Sequence, residues 1–122
     1  MTMTADDLVA EARRTVDTIT PADAHGFLIL DVREHGELNS SGAIRDAIHI
    51  PRGLLEFKVD PRSDSAEAAL ARAHARGEQV NVLCASGGRA ALAAATLTRM
   101  GYRAAVIEGG LKAWKAADLP VA

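Results

Sequence analysis

The sequence predicts an α/β domain: a parallel sheet with helices on both faces. Three features point there. Near-continuous apolar runs, FLILDV (27–32) and QVNVLC (79–84), have the composition of strands buried on both faces. Segments of helical periodicity and strong helix formers separate such runs. The two kinds of element alternate along the chain, as βαβ units do. With 122 residues, 48% of them hydrophobic, the chain suits one domain spanning residues 1–122, with roughly four residues loose at each end.

Each element has a local reason. Thr4 with Asp7 three residues later is a helix start, and Leu8, Ala12 and Val16 follow at helical spacing. A brief extended piece around Ile19 precedes Thr20-Pro21-Ala22-Asp23, which starts a second helix that Gly26 keeps short. FLILDV is the first long strand, with Asp31 near its carboxyl end. REHGELNSSG reads as a turn or ragged helix, AIHIP as a short strand stopped by Pro51, and RGLLEFKV as a helical turn before the loop DPRSD. SAEAALARAHARG is helical and closes at Arg76-Gly77. After QVNVLC, a helix over Ala90–Met100 presents Leu92, Ala95 or Thr96 and Met100 on one face, capped by Gly101. AAVIEGG is the last strand and turn, and LKAWKAADL an amphipathic last helix.

Composition excludes several function classes. Charged residues make up 25% of the chain with a net charge of −2, which gives no basic excess for a phosphate backbone, and 3% aromatics give no stacking platform for bases. Nucleic acid is therefore not expected as a partner, nor is a membrane, since no apolar run approaches the ~20 residues of a span. The acidic start MTMTADDLVAEARR does not read as a secretory signal. A single cysteine cannot form an internal disulfide, so a reducing, cytoplasmic setting is the simplest expectation.

That cysteine is the most informative residue. Cys84 stands where a strand turns into a helix, the place where open parallel sheets bind ligands. The residues after it, Ala85-Ser86-Gly87-Gly88-Arg89, are small apart from the arginine, and the two glycines can adopt the positive φ values that turn successive N–H groups inward. Helix N-terminus, amide cradle and arginine all favour the thiolate, and so a nucleophile that acquires an anionic group. A lone cysteine at a strand end is ordinarily a small buried hydrophobe, but that role needs neither the glycines nor the arginine.

At this point the sequence resembles the rhodanese family of single-domain sulfurtransferases. Cys84, Gly87 and Arg89 match its loop C-x-x-G-x-R; LILDVRE resembles its Asp-Val-Arg strand; GAIRDAIHIP resembles its G-H-I-x-G-A-x-x-I-P segment; and VIEGGLKAW resembles its G-G-x-x-x-W signature through Gly109, Gly110 and Trp114. The resemblance implies a rhodanese-like, five-stranded parallel sheet and sulfur transfer from a small donor such as thiosulfate, through a Cys84 persulfide, to cyanide, a thiol or a sulfur-accepting protein. It implies no cofactor. Cys84 would be the nucleophile, Ala85, Ser86, Gly87, Gly88 and Arg89 the amide donors, and Arg89 the brace of the loop. Asp31 would be the carboxylate that fixes Arg89 or a loop amide, or else a strand-end turn former. Arg33 would attract an anionic donor or form an ordinary surface ion pair. Ala43 and Asp46 depart from the family's histidine and glycine, so a differently shaped turn is expected there.

Elsewhere the expectations are plain. His25, His35, His49 and His74 show no metal-ligand spacing, so no metal is expected. Trp114 is assigned to the core, and Asp6, Asp7, Glu34 and Glu37 to solvated faces. Two other functions stay open: a noncatalytic binding or regulatory module of the same fold, and a phosphatase or arsenate reductase. The latter resemble C-x-x-x-x-x-R, one residue longer than the loop here.

Overall fold

The computed structural model describes residues 2–122. Helix α1 (Ala5–Thr15) starts from a capping box in which the Thr4 side chain accepts from the Asp7 N–H and the Asp7 carboxylate from the Thr4 N–H. There follow β1 (Asp17–Ile19), α2 (Pro21–Ala24), β2 (Ile29–Asp31), α3 (His35–Ser41) and β3 (Ile48–His49). A 3₁₀ turn (Arg52–Leu54) runs into α4 (Leu55–Val59), and α5 (Ala68–Arg76), β4 (Val80–Leu83), α6 (Gly88–Arg99), β5 (Ala104–Ile107) and α7 (Gly110–Ala116) complete the chain.

The strands form one five-stranded sheet in the order β1-β5-β4-β2-β3, parallel throughout. Alternation along the strands builds two cores. Leu30, Val82 and Val106 face α1, α4, α5 and α6, whereas Ile29, Leu83 and Ile107 face α2 and α7. The chain runs outward from β2 to β3, then returns to place β4 on the other side of β2. The carboxyl ends of β2 and β4 therefore flank a topological switch, where side chains from different loops converge.

Three expectations need correction. Phe27 is 71% exposed and lies outside the sheet, since β2 begins only at Ile29. Helix α6 starts at Gly88, and its buried side is made of Ala90, Ala91, Ala93, Ala94 and Leu97, with Leu92 only half-buried. Small side chains there let the helix approach the sheet and α1 closely. The C-terminal residues, expected to be loose, are tied down: Ala122 and Ala43 exchange backbone hydrogen bonds, and the Trp114 indole N–H donates to the Pro120 carbonyl at 2.9 Å. Asp46, where the family has glycine, takes a left-handed conformation at φ 67°.

Candidate active site

The site is built on the end of β4. Its alternation sends Val80, Val82 and then Cys84 to the α1/α6 side of the sheet, so the thiol meets the first turn of α6. Gly87, at φ 122°, caps that helix without a side chain of its own. The cysteine supplies the missing acceptor: its Sγ receives the Gly87 N–H at 3.0 Å and the Ala90 N–H at 3.3 Å. These are donors of the kind a helix start leaves unpaired, and the residue is 1% exposed. Of the five loop residues expected to donate, only Gly87 bonds the sulfur. Ala90 joins it unforeseen, although its place at the third helical position is where a cap acceptor usually finds its N–H.

The outer side of the loop is held by α7. The Leu111 N–H donates to the Cys84 carbonyl at 2.9 Å and the Lys112 N–H to the Ala85 carbonyl at 3.3 Å. The Cys84 and Ala85 carbonyls thus turn outward to one helix start while the Gly87 amide turns inward to the sulfur. Gly110 makes this approach feasible, because a Cβ there would fall onto the Cys84 and Ala85 carbonyls, and its φ is 60°. Trp114, one turn further, is fully buried, as expected of a core residue, with His25 edge-on against it.

The charged residues pair differently from expectation. Arg89 grips Glu37 of α3 with both guanidinium nitrogens, at 2.5 and 2.9 Å. That hydrogen-bonded pairing, opposed by burial and assisted by the Glu34 backbone, holds the Glu37 carboxyl at about 2 against an ordinary 4.5. Asp31 is not the partner of Arg89. Paired with Leu83 in register, it points to the face of the sheet opposite Cys84 and binds Arg33 instead. Arg33 is no surface ion pair either: it is 1% exposed, and it donates to Asp31 at 2.7 Å and to the Gly42 carbonyl at 2.9 Å. Glu37, assigned to a solvated face, is thus the carboxylate that braces the loop, and Asp31 with Arg33 anchors the segment after β2.

A family model of the rhodanese-like domain matches residues 10–117. The chain belongs to that family. Among solved structures, a rhodanese-related protein from Thermoplasma volcanium is 29% identical, covering 87% of this chain and 97% of its own, with a TM-score of 0.68. A rhodanese-like domain protein from Staphylococcus aureus is 25% identical, covering 81% of this chain and 91% of its own, with a TM-score of 0.63. A protein of unknown function from Rhodopseudomonas palustris, described as a possible tyrosine phosphatase, is 33% identical over 100% of this chain and 96% of its own, with a TM-score of 0.89. No curated protein matches.

Around this rhodanese-like loop, no group of metal-ligating side chains forms among the described residues. His49 contacts the Arg33 carbonyl through Nε2 at 2.6 Å, and His74 the Met100 carbonyl at 3.1 Å. No described helix is long and apolar enough to cross a membrane. A cleft of about 460 Å³ opens among Phe27, Ile44, Arg45, Trp114 and Val121. It lies where the chain enters β2 and β3, at the opposite end of the sheet from Cys84, and takes no part in the site.

Proposed function

We propose that this rhodanese-like domain is a sulfurtransferase that carries sulfane sulfur on Cys84. One observation carries the reading: Sγ accepts the Gly87 and Ala90 N–H groups at the start of α6, so the thiol is held by the backbone of the rhodanese-like loop. The Cys84 thiolate attacks the outer sulfur of a donor such as thiosulfate. An Sγ–S bond forms, the donor's S–S bond breaks, and sulfite leaves with the electron pair. Cyanide or a thiolate then bonds to the outer sulfur, and the electron pair of the broken Sγ–S bond returns to Cys84. The N–H groups of Ala85, Ser86, Gly88 and Arg89 have no acceptor among the described residues and are available to charge on the transferred sulfur.

Two other readings have an observation behind them. The description of the Rhodopseudomonas palustris protein favours oxyanion chemistry. Against it, only four residues separate Cys84 from Arg89, and the guanidinium that would face an oxyanion is engaged by Glu37. The 1% exposure of Cys84 favours a binding module, which would not turn over. Thiocyanate production from thiosulfate and cyanide separates the sulfurtransferase reading from the other two. The sulfurtransferase reading expects it from the wild type and not from Cys84→Ser, and equal rates for the two proteins would defeat it.

A further inference from the structure

The two loop glycines lie beneath α1. A Cβ built on Gly87 would stand 3.2 Å from Nη2 and 3.8 Å from Nη1 of Arg13, and one on Gly88 would stand 3.9 Å from Cγ2 of Val9. Val9 and Arg13, four residues apart, share one helix face, so α1 forms a wall of the site. Because the Gly87 N–H bonds the sulfur at 3.0 Å, standard backbone dimensions place the Arg13 guanidinium at most about 9 Å from Sγ.

We propose that Arg13 is the cation that draws an anionic sulfur donor to Cys84, and that the donors it selects are multiply charged thiosulfonyl anions. The proposal rests on the sulfurtransferase reading above. Charge availability narrows the choice to Arg13 and Lys112, whose backbone N–H bonds the Ala85 carbonyl, and Arg13 is the one whose guanidinium lies against Gly87. Arg89 is neutralised by Glu37, Arg33 is buried on Asp31, and Ala85 and Ser86 carry no charge. Arg13 is exposed and makes no salt bridge or side-chain hydrogen bond among the described residues. Its separation from the sulfur lies within a Debye length of about 10 Å at 0.1 M salt, so its field reaches an incoming anion. Glycine at 87 suits this arrangement, because a Cβ there would stand 3.2 Å from the guanidinium and oblige it to shift slightly.

The test measures single-turnover sulfur uptake by mass spectrometry with two donors, the thiosulfate dianion and the methanethiosulfonate monoanion. In each case the Cys84 thiolate takes the outer sulfur, the donor's S–S bond breaks, and sulfite or methanesulfinate leaves with the electron pair. Arg13→Gln keeps length and polarity but removes the charge. Coulomb attraction scales with ligand charge, so the fold-loss for the dianion is the square of that for the monoanion. For a charge ~7 Å away in a water-like dielectric, this is about threefold for methanethiosulfonate and about sevenfold for thiosulfate at low salt. Arg13→Lys restores most of both rates, molar salt erases the difference, and Arg14→Gln, about 100° round the helix, has little effect. Equal losses with both donors, or an Arg13→Gln protein that keeps pace with a reactive wild type, overturn the proposal alone. A wild type that takes sulfur from neither donor overturns the sulfurtransferase reading and this proposal with it.

Discussion

Glu37 and Arg89 clamp α3 to the first turn of α6, and the strength of the clamp can be read from pH. The Glu37 carboxyl is lowered from 4.5 to about 2, chiefly by its hydrogen bonds to Arg89. Taken at face value that displacement is worth some 3 kcal/mol. The two side chains are 33% and 37% exposed, so solvent screening and the ordering of two long side chains reduce it to about 1 kcal/mol. Since the folded-state value lies below the unfolded one, the contribution is complete above pH ~4.5 and is lost as the pH falls toward 2. Glu37→Gln is therefore expected to lower the unfolding free energy by about 1 kcal/mol at pH 7, a fall in Tm of about 4 °C. The gap between wild type and variant should narrow steadily below pH 4.5. Urea denaturation of both proteins at a series of pH values is the assay. No gap at pH 7, or a gap of the same size at pH 3, would refute the reasoning.

Three further substitutions probe the structure around the loop and β2. Gly110→Ala combines a φ of 60° with a Cβ directed at the Cys84 and Ala85 carbonyls, so it should cost more than about 2 kcal/mol in urea denaturation and abolish sulfur uptake. Gly36→Ala, in α3 with open space where its Cβ would go, should be neutral or slightly stabilising, and parity between the two variants would remove the structural role assigned to Gly110. Asp31→Asn leaves Arg33 buried without its counter-charge and should cost about 3–5 kcal/mol by the same assay. A loss below 1 kcal/mol would mean that the pair anchors nothing.

Local chemistry was readable in the sequence, and pairings between distant elements were not. The Cys84 loop declared itself through two glycines and an arginine at a strand-to-helix junction, and the alternation of helices and strands held along the chain. The face of Asp31 depends on its register against β4, which no local pattern encodes. Glu37 meets a partner 52 residues away. A signal was nevertheless present for α3: Glu37 stands three residues after Glu34, and its carboxylate accepts the Glu34 N–H at 2.9 Å, at the start of a helix where a turn or ragged helix was expected. Alanine-rich composition pointed to Ala90 as the start of α6. The helix begins two residues earlier, at Gly88, where a Cβ would make only an ordinary van der Waals contact with Val9 of α1.

Sulfur carriage requires Cys84 to hold a second sulfur beside the Gly87 and Ala90 amides. The intact mass of the protein after exposure to thiosulfate and removal of the excess tests this most directly. One added sulfur atom is predicted on the wild type, removed by cyanide and absent from Cys84→Ser. An unchanged mass, or the same addition to both proteins, would contradict it.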